Sequence, residues 1–227
     1  MTTQTFNQPM ISVDVVPLYV TPEGSLKTIL GRRLYEPYLG EFALPGVLLN
    51  PDETLHEAAE RSLRTKVDTP SSSIVAIQDV GAFDSTNRDP RWTSVSITYI
   101  AALQPTEEYL KELETNERLQ TLTVHEALNL NLPFDHAEII TKAVETLTEK
   151  FWNSKEFTKA LLGETFSTKT VRNVMLELEE FHKAPLYQQD LQNLTRKLKT
   201  SGYVSQSSTN SLGTSQGRPS SLWEWAE

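Results

Sequence analysis

Apolar residues recur with two different periods along this chain of 227 residues, and that change constrains the fold more than any other feature. The first part is strand-like. Residues 11–20, ISVDVVPLYV, are β-branched and apolar, and the turn TPEG joins them to a second such run, LKTILGRRL, which predicts a hairpin. SSIVAIQDVGAF and WTSVSITYIAAL predict two further strands, the latter alternating through Val95, Ile97 and Tyr99. Between the two pairs, Leu55, Ala58, Ala59, Leu63 and Val67 fall at helical spacing, which predicts one amphipathic helix from Thr54 to Lys66. Strand, strand, helix, strand, strand is an α+β pattern. A polar, acidic segment from Gln104 to Glu126 follows, read as a separator.

Beyond it the period is helical. Ile139, Ile140, Ala143 and Leu147 mark a linker helix. Ser167 or Thr168 then stands as N-cap to a helix whose inward stripe is Val171, Val174, Met175, Leu178 and Phe181. After the turn HKAPL, residues 187–200 carry Leu191, Leu194 and Leu198 on one side, with Gly202 placed to end the helix. The last 25 residues hold two short apolar runs around a Ser, Gly and Asn loop, the pattern of a β-hairpin.

Charge is divided in the same way. Residues 1–150 hold 12 Lys and Arg against 22 Asp and Glu, a net of −10, whereas residues 151–227 hold 9 against 8, a net of +1. From His182 to Ser220, Lys183, Arg196, Lys197, Lys199 and Arg218 face Asp190 alone. Phosphate binding depends on Lys and Arg, so a nucleic-acid face belongs at the C-terminal end. The chain has no cysteine, which excludes disulfides and thiolate metal sites. It opens without a basic, apolar leader, and no 18 apolar residues run together, so a soluble cytoplasmic protein with no membrane partner is expected.

The text from Gly46 to Val67, entered through GEFALPG, resembles the Nudix box. In that box a Gly is followed six residues later by a Glu, and eight residues after that by Arg-Glu-apolar-x-Glu-Glu. Here Glu53 comes one residue late, and Arg61 lies eight after it. Where the metal-binding carboxylates belong, the chain reads Ser62, Thr65 and Lys66. Hydrolysis of a pyrophosphate in this family needs helix carboxylates to hold divalent cations and activate water. Thr65 and Lys66 cannot do so, and Glu57 and Glu60 read as solvated surface charges. No catalytic residue, no metal ligand and no cofactor are therefore expected: a Nudix fold used for binding.

Three further segments, TILGRR at 28–33, RDPR at 88–91 before SVSITYIAAL, and PFDHAEII at 133–140, occur in the order found in the Nudix-related transcriptional regulators of NAD metabolism, the NrtR group. The resemblance runs from about Ile11 to Trp225. It implies an effector of the ADP-ribose or NAD type, a homodimer, and a palindromic double-stranded DNA operator. Arg32, Arg33 and Arg91 are the residues placed near a pyrophosphate, since guanidinium forks match phosphate oxygens. His136 is read as a residue packing a helix start and His56 as exposed; neither is counted as a ligand.

The C-terminal block resembles a winged helix-turn-helix, whose second helix enters the major groove while the wing touches the backbone. On the helix at 187–200, Gln188, Gln189 and Asn193 have base-reading chemistry, and Arg196, Lys197 and Lys199 have phosphate chemistry. Arg218, in GRPS before SLWEW, matches the arginine of the family's wing.

The expected architecture is thus an N-terminal Nudix-like α/β/α sandwich over 1–130, a linker helix over 131–152, and a winged helix-turn-helix over 153–227. The expected function is a ligand-responsive repressor that binds its nucleotide without hydrolysing it. The alternatives are an active Nudix pyrophosphohydrolase with an appended helical domain, or a protein-interaction adaptor. A fragment from about Asp135 onward is expected to keep non-specific DNA binding.

Overall fold

The computed structural model describes residues 8–151, 153–181, 188–207 and 221–226, with backbone alone for 188–192. The chain begins with β1 (Met10–Val20) and β2 (Leu26–Arg32), the expected hairpin, in which Leu18 pairs with Thr28. Short strands β3 (Phe42–Ala43) and β4 (Gly46–Leu48) lead into α1 (Leu55–Lys66). Its start is fixed by a capping box: Thr54 Oγ1 accepts from the Glu57 amide, and the Glu57 carboxylate accepts from the Thr54 amide. The strands β5 (Ile74–Phe83) and β6 (Ser94–Leu103) follow.

The segment from 104 to 126, expected as a separator, is instead structured. It forms α2 (Glu107–Thr115), β7 (Leu119–Thr123) and the start of α3 (Val124–Leu128). Acidic composition hides these elements because each is anchored by few apolar groups, Tyr109 and Leu113 on α2 and Leu119 on β7, all buried. β7 pairs along β2 from Lys27 to Gly31.

The sheet has the order β3-β2-β1-β6-β5, with β4 added to β1 and β7 to β2. Its centre is a long parallel pairing of β1 with β6, from Met10 opposite Ser94 to Leu18 opposite Ala102. Alternation along β1 sends successive residues to opposite faces. Val13 and Val15 join α1 and α2 in one core with Ala58, Ala59, Leu63 and Tyr109. Val16 and Leu18 face the other way, into a larger core. This is the α/β/α sandwich.

The larger core does not stop at the sheet. α4 (His136–Lys150) lays Ile139, Ile140, Ala143, Val144 and Leu147 into it. α5 (Lys155–Leu162), β8 (Thr165–Ser167), α6 (Thr168–Glu180), α7 (Gln188–Thr200), β9 (Val204–Gln206) and β10 (Leu222–Trp225) complete the chain. Phe157, Phe166, Val171, Met175, Leu194, Leu198 and Trp223 belong to the same buried cluster as Val16 and Leu30. Ser167, of the two expected candidates, caps α6 through the Thr170 amide. β8, β10 and β9 make a second, antiparallel sheet, so α6, α7 and a β-hairpin stand as a winged helix-turn-helix. Gly202 follows α7 with φ of 71°, a left-handed conformation that glycine adopts without steric cost.

The two parts also meet at the β1–β2 turn. Glu177 of α6 accepts a hydrogen bond from the Leu26 amide at 2.8 Å. Thr170 Oγ1 donates to the Pro22 carbonyl at 3.0 Å, and Asn173 Nδ2 donates to that of Glu23 at 2.7 Å. Gly24 sits under α6 with φ of 93°; a Cβ there would lie 2.7 Å from the Thr170 carbonyl oxygen.

Candidate functional site

A cavity of about 460 Å³ opens where the ends of β2 and α1 meet the loop before β6 and the start of α4. Arg32, Arg33 and Arg91 all line it, so the structure brings the three sequence-picked cations together. Arg32 leaves β2 over the Phe42 ring, 4.4 Å from its centroid, and donates to the Gly40 carbonyl at 2.9 Å. Arg33 lies over Phe134 at 4.7 Å and donates from Nε to the Pro37 carbonyl at 2.8 Å. Burial, and after it the charge of Arg91, lowers the pKa of Arg33. Guanidinium stays charged regardless, so this wall holds crowded positive charge that an anion would relieve. Arg91 stacks on Trp92 at 4.3 Å and forms a two-pronged ion pair with Asp89, 2.9 and 2.7 Å.

The floor of the cavity was not foreseen. Arg88, buried, donates twice to Asp135 at 2.8 and 2.9 Å, to Asp14 at 3.1 Å and to Ser94 at 3.1 Å. It thereby ties β1, the loop before β6 and the N-terminus of α4 to one point. Asp14 also accepts from Ser96 at 2.5 Å. The sequence signal was present in RDPR and PFDH, two of the family landmarks, whose Arg88 and Asp135 turn out to be partners. His136 is buried, as expected of a packing residue, and its Nδ1 accepts the Leu44 amide hydrogen at 3.0 Å. Burial lowers its pKa, leaving the ring neutral with its proton on Nε2.

The box helix turns Arg61, Thr65 and Lys66 toward the cavity. Its carboxylates are engaged elsewhere. Glu53 is clasped by Arg61 through Nε at 2.9 Å and through Nη2, and this holds its pKa down to about 2. Glu57 caps its own helix, and Glu60 lies 3.6 Å from exposed His56. Among the described residues no three His, Asp or Glu side chains gather as a metal site. The residues that line this cavity therefore do not fit the divalent cation that hydrolytic Nudix enzymes carry.

At the other end of the chain, α7 buries Leu194 and Leu198 and presents Asn193, Arg196 and Lys199 on its exposed side, with Lys197 half-buried. Gln188 and Gln189 lie on the first turn of α7, and their side chains are outside the described residues, as is Arg218.

No family model matches the chain. It is 30% identical over 149 residues, 64% of its length, to the "ADPR responsive transcriptional repressor NtrR" of Acinetobacter baylyi, of which it spans 57%. It is 29% identical over 134 residues to an ADP-ribose pyrophosphatase of Methanocaldococcus jannaschii, covering 58% of this chain and 71% of that one. Among solved structures, NrtR of Shewanella oneidensis in complex with a 27mer DNA superposes with a TM-score of 0.74, at 23% identity, over 95% of this chain and 93% of that one. The fold is that of the NrtR regulators. The likeness to the NrtR group drawn from the landmark segments is thus borne out in three dimensions, including the order of sandwich and winged helix-turn-helix. The Nudix domain of the same NrtR, solved with ADP ribose, matches with a TM-score of 0.50 and 25% identity over 65% of this chain. No helix among the described residues is long and apolar enough to cross a membrane.

Proposed function

We propose that this chain is a cytoplasmic, ligand-responsive transcriptional repressor of the NrtR kind. Residues 1–130 sense an ADP-ribose or NAD type nucleotide without hydrolysing it, residues 131–152 form the connecting helix, and residues 153–227 bind a palindromic operator. The observation that carries this reading is the cavity itself: a space of about 460 Å³ walled by Arg32, Arg33 and Lys66, on a chain that continues into a winged helix-turn-helix. Arginine forks suit phosphate oxygens, while the cations at the box helix leave no place to activate a metal-bound water. The repressor and the pyrophosphatase among its relatives both name ADP-ribose. A palindrome read by two α7 helices requires a homodimer, with half-sites about one helical turn apart.

The test has two arms. Fragments recovered from a random DNA pool yield a palindromic sequence, and ADP-ribose changes the affinity for it. With magnesium or manganese present, ADP-ribose stays intact over hours. Metal-dependent release of AMP moves the pyrophosphohydrolase reading to the front; absence of any DNA preference moves the adaptor reading there.

A further inference from the structure

The wall of the cavity carries more positive charge than its own carboxylates can neutralise. Arg61, Arg88 and Arg91 each have a partner, in Glu53, Asp14 with Asp135, and Asp89. Arg32, Arg33, Lys66 and Arg118 also line the cavity, and none of these four makes an ion pair among the described residues. They come from three elements that the fold presses together. The Arg32 amide donates to the Arg118 carbonyl at 2.7 Å, which sets the end of β2 beside the start of β7. Gly31 lets α1 close on the same place: a Cβ there would stand 2.7 Å from the Lys66 carbonyl oxygen. Lys66 is the last residue of α1, at a position the Nudix box reserves for a carboxylate.

The two carboxylates that line the cavity are already engaged. Both oxygens of Asp89 accept from Arg91. Asp14 is held by Arg88 and Ser96, and its Oδ1 is tucked against Gly46, where a Cβ would come within 2.0 Å. A divalent cation entering here would meet four unneutralised positive charges and two committed carboxylates. A diphosphate would meet the reverse. A lysine ammonium is a compact point charge on a flexible stem, so it can take the electrostatic part of a metal ion without its coordination geometry.

We propose that Lys66, with Arg32, Arg33 and Arg118, stands in for the divalent cation, so that this pocket takes the diphosphate of its effector directly, without metal. The inference rests on the nucleotide-sensor reading above and specifies how that site neutralises its ligand. It also separates Lys66 from a residue that merely complements the C-terminal dipole of α1, because the dipole role is indifferent to ligand.

Calorimetry of the full chain with ADP-ribose, in excess EDTA and again in magnesium, tests it. Equal affinity in the two buffers, within about threefold, is the expected result. Lys66→Gln then weakens binding by about 10–100-fold, the range for loss of one hydrogen bond to a charged group. Lys66→Arg retains most of it. Lys66 is exposed, so both variants fold, and thermal melting without ligand verifies that they do. Binding that needs magnesium, or a Lys66→Gln variant of unchanged affinity, overturns this inference and leaves the sensor reading standing. Absence of binding in both buffers overturns both.

Discussion

Replacing Arg88 by Met examines whether the floor of the cavity is a structural keystone. The guanidinium makes five bonds, to Asp135 twice, Asp14, Ser94 and Ser12, and its side chain is only 4% exposed. Methionine keeps most of the volume and none of the donors. Asp14 and Asp135, each 8% exposed, are then left as buried carboxylates with no cation. Removing one partner from a buried pair costs about 3–5 kcal/mol, against a total stability of about 5–15 kcal/mol for a typical domain. Urea unfolding at neutral pH reads the loss as a fall in midpoint at unchanged slope. The cycle completes the reasoning. Asp135→Asn in the Arg88→Met background removes one of the stranded charges, so the double variant is expected to be more stable than the sum of the two single losses predicts, by about 1–3 kcal/mol. A single-variant loss below about 1 kcal/mol, the size of an exposed pair, would refute the argument, because it would mean that water reaches these groups.

Glu53, held to a pKa of about 2 by Arg61, should contribute stability that is fully present above its ordinary value of 4.5 and is lost as pH falls toward 2; Glu53→Gln should therefore flatten the decline of the melting temperature across that window. Arg196→Ala and Lys199→Ala should each weaken binding to all DNA sequences and lower the salt-dependence slope by about one unit, measured by fluorescence anisotropy at several salt concentrations. Asn193→Ala should instead relax discrimination at particular base pairs, by about 1–3 kcal/mol per bidentate contact, and equal loss across all sequences would count against its placement at base edges. Gly24→Ala should destabilise by about 1–3 kcal/mol, since it combines a left-handed backbone with a contact of 2.7 Å to the α6 carbonyl; a neutral result in thermal melting would mean that the turn and α6 are not in contact.

Where apolar residues are numerous the sequence was informative. The box helix, α4 and α6 follow from periodicity, because each buries four or more groups on one face; α7 follows from the helical spacing of its leucines, of which Leu194 and Leu198 are buried, and the β1–β2 hairpin from two apolar, β-branched runs joined by a turn. α2, β7 and β8 escaped because a nine-residue helix with two buried groups and strands of five or three residues leave no period to detect. The parallel pairing of β1 with β6 was also invisible, since nothing local records which strands meet. The candidate site divides similarly. Arg32, Arg33 and Arg91 were legible as cations at family landmarks. Arg118 was not, because it reaches the cavity only through the pairing of β7 with β2. Arg88 and Asp135 stand 47 positions apart and carry opposite charges, and only the closed sheet shows that they are one ion pair. Lys66 was read as incompatible with a metal ligand; its place beside Arg32 needed the close approach at Gly31.

The single apolar cluster running from Val16 and Leu30 through α4 to Leu198 and Trp223 bears on how the chain comes apart. Two domains joined by a bare tether melt independently, whereas elements that share one buried cluster exchange their water together. Neither half owns this interior. A cut before Asp135 would strip Ile139, Ile140, Val144 and Phe166 of the strand residues that cover them and sever the Arg88 pair, so the fragment expected to retain DNA binding would carry a raw apolar side prone to self-association. Heating the intact protein should give one calorimetric transition whose van't Hoff and measured enthalpies agree, and a ligand in the cavity should raise the melting point of α7, even though none of the described residues of α7 lines that cavity.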